Sequence, residues 1–395
     1  MSRPRARILV GYADALAAVE VVRSLIQDGN EVVAFERPGR PSLLRRVQGV
    51  EITEVPSAAD APDAAIDGLQ ELARRASVDL VMPLDDASLW LTAEALAPGD
   101  GPACVTAPEQ ARLALDKSLQ VEAAHDAGLP VPPATLWAPG GGAPELPDAP
   151  AIVRPALAFR RTPEGAGRGR VRIFGDSATL REATSSEPPE PMLVQPYVDG
   201  VGEGLFGWAG PDGVIGWTAH RRVRMVDPHG SGSSACRAIE VDAGLVEAAE
   251  RFVRSAGWRG QFMIELLRGS DGAAHFVEFN GRPWGSLALA RRRGFEYPAW
   301  TARGALDDAY RPEAPVDAPF LTARHLGRDL VHLLSVLRGP RAPVHHWPGR
   351  WETVKSVLGK RPDERWYNAE SGESNLLLVD TLQTVYRHTL GRRRT

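Results

Sequence analysis

Two runs in which apolar and polar side chains alternate, Phe262 to Arg268 and His275 to Asn280, stand on either side of Asp271-Gly272. Alternation with a period of two marks a β-strand with one buried face, and Asp-Gly is favoured in two-residue type I′ hairpin turns. Centring a hairpin on that pair sets the register. Ser270 faces Ala273, Arg268 faces His275, Leu266 faces Val277, and Glu265 lies opposite Glu278. Phe262, Ile264, Leu266, Val277 and Phe279 then share an apolar face that has to be core, while Glu265, Glu278 and Asn280 share the other. Carboxylates facing each other on neighbouring strands sit about 5 Å apart and repel, so something positive must hold them. An arginine such as Arg282 would serve for a solvated acidic pair. Two carboxylates and an amide oxygen are also hard oxygen donors suited to magnesium, with phosphates completing the shell. The register, the shared face and the adjacent Asn280 favour the metal.

A chain of 395 residues is too long for one ordinary core, so two or three domains are expected. Residues 6–84 alternate strand and helix patterns: strands at Ala6 to Val10, Glu31 to Phe35 and Val78 to Leu84, helices at Ala13 to Gln27 and around Ala64 to Ala76. Such alternation predicts a parallel sheet with covering helices. The first turn, Gly11-Tyr12-Ala13-Asp14-Ala15, lacks the glycines of a dinucleotide fingerprint, which disfavours NAD binding. Pro108 opens a helix through Ala127 that Gly128 closes, and residues 138–150 are a Pro/Gly-rich loop. A second α/β region covers about 151–305. Beyond it come a helix at Leu326 to Leu337, an irregular stretch bearing Pro and Trp, and a helix near Leu376 to His388. The basic end, Gly391 to Thr395, reads as a solvated tail.

A formal net charge of −4 gives no reason to expect nucleic acid or an anionic membrane as partner. Asp14 interrupts the apolar run that would otherwise resemble a signal peptide, and no run approaches membrane-spanning length. Cys104 and Cys236 lack ligand spacing and read as thiols in a reducing compartment, so a cytoplasmic protein is expected. The histidines form no HExxH pattern and no GxSxG elbow occurs, so no hydrolase constellation competes.

The segment Val277 to Ser286, preceded by Phe262 to Leu266, resembles the metal-binding end of ATP-grasp enzymes, in particular the carbamoyl-phosphate-synthase-like and carboxylate–amine ligase branches. Other segments fall in that family's order. Leu115 to Pro133 is similar to the helix that leads into the core, Ala149 to Pro155 to a phosphate-contacting strand, and Met192 to Gly204 to the adenine hinge. Val81 to Leu91 is similar to the domain that precedes the core. The resemblance covers roughly Ile8 to Leu306. It implies an α/β architecture: a Rossmann-like domain at 1–107, an ATP-grasp two-lobe α+β core and a C-terminal extension at 311–395. Within the core, 108–196 would hold the leading helix and the small lobe with its flap, and 197–310 the large lobe with the metal site.

The resemblance also assigns roles. Lys117 would contact ATP phosphate, and Arg154 stands where the family usually has lysine. Between Ala156 and Ile173 a glycine-rich flap would close over the triphosphate. Gly165, Gly167 and Gly169 would admit backbone amides there, with charge from Arg160, Arg161, Arg168 and Arg170. Gln195, Tyr197 and Val198 would form the adenine hinge, and Glu203 would hold ribose. Glu265, Glu278 and Asn280 would be the metal ligands and Arg282 the catalytic arginine, while Ser286 reads as a helix cap. On the acceptor side Arg224, with Ser233 and Ser234 behind it, is the candidate for a substrate carboxylate; a basic surface strand and loop is the competing reading. The implied cofactors are ATP and Mg2+, two ions, with Mn2+ as an alternative metal. The implied activity is ligation: a small-molecule carboxylate becomes an acyl phosphate and an amine displaces the phosphate. A phosphotransferase on the same fold and an ATP-binding protein without turnover are the alternatives. The oligomeric state stays open, a homodimer included.

Overall fold

The computed structural model describes residues 5–96, 101–163, 165–229, 232–340, 347–359, 361–369 and 374–389. The basic tail expected at 391–395 lies outside them. The first strands and helices are β1 (Arg7–Gly11), α1 (Ala18–Gln27), β2 (Glu31–Glu36), β3 (Val50–Glu54), α2 (Pro62–Arg75), β4 (Leu80–Pro83), α3 (Asp86–Ala95) and β5 (Ala103–Cys104). The alternation of strand and helix resolves into an all-parallel sheet of order β3-β2-β1-β4-β5. Its central strands β1 and β4 are buried throughout except at Arg7, as strands covered on both faces must be. Asp85 caps α3 by accepting from the Ser88 amide.

The helix expected from Pro108 to Ala127 is broken into α4 (Pro108–Leu115) and α5 (Lys117–Asp126). Asp116 takes an extended conformation between them, forms an isolated β-bridge with Leu157, and turns its carboxylate onto the Ser118 amide at 2.9 Å. Its short acceptor side chain competes with the helix for backbone amides, and the tertiary bridge decides the contest. The break sets Lys117 at the start of α5, its amide on the Ala156 carbonyl at 2.7 Å.

A small sheet follows, built from β6 (Thr135–Trp137), β7 (Ala151–Pro155), β10 (Arg172–Phe174) and β11 (Met192–Pro196) in the order β10-β7-β11-β6. Between β7 and β10 the hairpin β8 (Arg160–Thr162) and β9 (Gly165–Gly167) stands apart from it, and α6 (Ser177–Ala183) precedes β11.

The large sheet holds β12 (Gly200–Gly210), β13 (Gly213–Met225), β14 (Ser233–Ile239), β15 (Gly260–Gly269), β16 (Ala274–Asn280), β17 (Thr322–Arg324) and β18 (Glu364–Trp366), in the order β16-β15-β12-β13-β14-β17-β18. Its helices are α7 (Ala243–Ser255), α8 (Leu287–Arg292), α9 (Tyr297–Leu306), α10 (Leu326–Arg338), α11 (Arg350–Leu358) and α12 (Ser374–Thr389). The stretch expected to be irregular after α10 thus contains α11 and the edge strand β18. Trp347 and Tyr367 pack there, the guanidinium of Arg324 lies 4.6 Å from the Trp366 ring, and Trp351 is exposed. One apolar core joins the first sheet to the large one: Ile8, Val10, Val21 and Leu25 belong to the same cluster as Trp208, Trp284, Tyr297 and Trp300. No described helix is long and apolar enough to cross a membrane.

Candidate active site

The β15–β16 hairpin places the site, and its turn differs from the expected one. Gly272 adopts a positive φ and its amide bonds to the Gly269 carbonyl, while the Gly269 amide bonds to Ala273. This is a three-residue loop with glycine in the left-handed position. It shifts the register by one, so Arg268 faces Ala274 and Leu266 faces Phe276. A β-bulge at Val277 then removes the offset, and Glu265 faces Glu278. Phe276 therefore takes the core position expected for Val277, which is half-buried. The bulge also frees the Val277 carbonyl, and the Nη1 of Arg154, on β7, donates to it at 2.9 Å.

On the polar face of the hairpin, each carboxylate has its own cation. Arg222 of β13 reaches Glu265 at 2.6 Å, and Lys117 lies 3.4 Å from Glu278. Arg222 can cross the intervening strand because Gly202 lies beneath its side chain; a Cβ there would come within 2.7 Å of Arg222 Cδ. Asn280 donates its amide to Glu278 at 3.1 Å. Burial raises the Glu265 carboxyl, and Arg222 only partly offsets it. For Glu278 burial also acts upward, but Lys117, Asn280 and Arg282 outweigh it and hold the group low. Two half-buried acids on one face, one held low and the other pushed up, are what a divalent cation would relieve. No group of three His, Cys, Asp or Glu side chains among the described residues is placed to hold a metal, so an ion here would take two carboxylates and the amide.

Asp86 completes the cluster and was missed in the sequence. It opens α3 at the end of β4, and its two oxygens accept from Arg282 Nε at 2.6 Å and from Arg168 Nη2 at 2.6 Å. Burial would raise its pKa, but the two guanidiniums outweigh that and keep it low. The Asp85-Asp86 pair just after a parallel strand was the available signal. A cavity of about 160 Å³ opens on this face, lined by Glu265, Glu278, Asn280 and Arg282 and also by Ser233 and Arg328. Trp284, stacked on Phe206 with ring centroids 4.6 Å apart, contributes an apolar wall.

No family model matches the sequence, and no curated protein does. Solved structures do resemble it. The L-amino acid ligase from Bacillus licheniformis is 15% identical, with a TM-score of 0.63 over 82% of this chain and 80% of that one. N5-carboxyaminoimidazole synthetase from Staphylococcus aureus is 15% identical, with a TM-score of 0.60 over 85% and 86%. The biotin carboxylase domain of Hydrogenobacter thermophilus 2-oxoglutarate carboxylase, solved as a dimer with MgADP, ADP and bicarbonate, is 16% identical, with a TM-score of 0.59 over 81% and 73%. The chain has the ATP-grasp fold.

Within that ATP-grasp frame the structure brings Lys117, Arg154, Glu265, Glu278, Asn280 and Arg282 together, and adds Arg222 and Asp86. Other expected residues lie elsewhere. Arg224 is buried and grips Asp329 of α10 through two bonds of 2.9 Å, with Nη1 on Ser356 Oγ at 2.7 Å, so its guanidinium is engaged within the fold. A bulge at Val223 lies between the two arginines, and it is Arg222 that reaches the hairpin. Glu203 projects to the sheet face opposite Glu265, as alternation requires of a residue beside Gly204. Arg221 and Arg268 hold it there. Ser233 lines the cavity, whereas the Ser234 hydroxyl is fully buried without a hydrogen-bond partner among the described residues. Gln195 donates to the Pro132 carbonyl at 3.4 Å, the Tyr197 amide bonds to Pro150 at 2.8 Å, and Val198 is half-buried beside them. Ser286 stands before α8 but caps nothing; its hydroxyl pairs with His220 Nδ1 at 3.2 Å.

The glycine-rich flap is the β8–β9 hairpin, and it is docked on the first sheet's helices. Arg161 pairs with Asp63 at 2.8 Å, the Ala166 amide bonds to Ala59 at 3.0 Å, and Arg160 is held by Glu190 at 2.8 Å. A Cβ on Gly165 would run into the Ala59 carbonyl and one on Gly169 into Glu190, so close packing accounts for these two glycines; Gly167 faces open space.

Proposed function

We propose that the chain is an ATP- and magnesium-dependent ligase that activates a small-molecule carboxylate as an acyl phosphate for attack by an amine, releasing ADP and phosphate. The observation that carries this reading is the in-register face of Glu265, Glu278 and Asn280, ringed by Lys117, Arg222 and Arg282 at the mouth of a cavity. Magnesium held there would neutralise phosphate charge and bring the triphosphate up to the acceptor. Lys117, on releasing Glu278 to the metal, is free for phosphate as a point charge. Arg282 is aligned by Asp86 to stabilise charge growing on the transferred phosphoryl group and on the tetrahedral carbon. Arg168 shares Asp86 with Arg282, which couples the flap to the reacting centre. Trp284 and Met263 help exclude water, which an acyl phosphate requires. The first sheet is read as a Rossmann-like domain at 1–107, the core as two lobes at 108–196 and 197–310, and 311–395 as an extension. The relatives named above, an amino acid ligase and a carboxylase bound to MgADP, are compatible with this chemistry.

The test is a screen for ADP and phosphate release that pairs small carboxylates and amino acids with amines, followed by chromatography of the nucleotides. ADP with stoichiometric phosphate and a condensed product supports the reading. AMP with pyrophosphate overturns the acyl-phosphate route, and a stable phosphorylated product makes the protein a phosphotransferase.

A further inference from the structure

Three arginines line the cavity, and they differ in one respect. Arg222 is neutralised by Glu265 and Arg282 by Asp86, each at 2.6 Å. Arg328 pairs with no carboxylate among the described residues; Nη1 bonds only to the Ser233 backbone carbonyl, at 3.1 Å. The nearby carboxylate of Asp380 is engaged elsewhere, by Asn368 at 2.9 Å and His325 at 3.2 Å. Arg328 also sits in the first turn of α10, where the helix dipole disfavours a cation. A half-buried, unneutralised guanidinium at the positive end of a helix costs stability, and burial accordingly lowers its pKa. Local rules broken in this way mark positions kept for a ligand. Gly232 leaves room beside the guanidinium, since a Cβ there would lie 3.1 Å from Nη1.

We propose that Arg328 binds a carboxylate carried by the amine substrate, so that the nucleophile is an amino acid. The inference rests on the ligase reading above. Arg328 lines the same cavity as the carboxylate face, where the acyl phosphate would form. An amine anchored by its own carboxylate at Arg328 would project its nitrogen back toward the acyl carbon. A guanidinium fork matches a carboxylate bidentately and rejects the neutral amide of the same molecule.

The experiment uses the full chain, the twenty L-amino acids and their carboxamides as probes, and two variants, Arg328→Gln and Arg328→Lys. Binding is read by calorimetry and turnover by ADP release. For the wild type the free acid should be favoured over its amide by about ten- to a hundredfold, the worth of one charge-assisted contact. Arg328→Gln should abolish that preference by raising KM for the acid and leaving it unchanged for the amide. Arg328→Lys should restore part of it. Because no carboxylate among the described residues pairs with Arg328, Arg328→Gln should unfold at the same temperature as the wild type or higher, which separates lost recognition from lost fold. Equal use of acids and amides by the wild type, with ADP and phosphate released, would overturn this proposal and leave the ligase reading standing. Acid-selective binding that depends on Arg328, without ADP from any pair, would sink the ligase reading and keep the binding site. No binding of any amino acid would overturn the proposal outright.

Discussion

Replacing Arg224 by alanine separates what the basic strand β13 suggests from what the fold does with it. Asp329 is fully buried and Arg224 nearly so, and the two share two hydrogen bonds of 2.9 Å. Arg324 donates to the same carboxylate at 2.9 Å, so Arg224→Ala leaves Asp329 charged and half-satisfied rather than orphaned. The variant also strips the Ser356 hydroxyl of its 2.7 Å partner and opens a void where the arginine stem packed. Breaking one side of a buried ion pair costs about 3–5 kcal/mol. With a tenfold change for every ~1.4 kcal/mol, that is about two to three and a half powers of ten in the local opening equilibrium. Hydrogen exchange resolved to peptides is the suitable assay, because a chain with several cores need not unfold in one step. Amides of β13, β14, α10 and α11 should exchange faster by about that factor, while those of β1 and β2 should not change. Arg224→Lys should fall between, since an ammonium cannot span both carboxylate oxygens. KM for the carboxylate substrate should stay at the wild-type value for the folded enzyme. Unchanged exchange together with a raised KM would refute this reasoning and return Arg224 to the substrate site.

Glu278→Gln should abolish ADP formation while leaving the thermal unfolding temperature within a few degrees, because the substitution removes a metal charge but also the repulsion from Glu265; turnover at saturating ATP and magnesium would exclude Glu278 as a ligand. Arg154 bonds to the Val277 carbonyl and its buried Nε has no partner among the described residues. Arg154→Ala should therefore weaken binding of a non-hydrolysable ATP analogue by about ten- to a hundredfold, with Arg154→Lys recovering part; lower stability at unaltered affinity would leave Arg154 as a brace for the bulge alone. Burial, aided by Arg222, pushes the His220 imidazole down to about 3 from its ordinary 6.5. The neutral ring is the folded form, so its contribution is fully present above about pH 6.5 and is lost as pH falls toward 3. His220→Gln should flatten the acid side of the urea-midpoint profile relative to the wild type, and parallel profiles between pH 7 and 4 would contradict the assignment.

What the sequence determined by itself was whatever repeats over a few residues. Period-two alternation defined the polar and apolar faces of the β15–β16 hairpin, and strand–helix alternation announced the parallel sheet, because both depend only on which side of the backbone a side chain takes. Even there the facing of Glu265 and Glu278 emerged through two offsets that cancel, a three-residue turn and the bulge at Val277. A bulge is an accommodation to the strand alongside and leaves no local mark. Tertiary structure alone decided which cation meets which acid. Arg282 and Asp86 are 196 residues apart, and Arg224 and Asp329 are 105 apart. Arginines 222, 224 and 328 have the same chemistry on paper, and nothing within a few residues of any of them says which will find a carboxylate. Burial is what sorts them, since a desolvated charge must be met by an opposite one wherever the packing brings it, or be left waiting for a ligand.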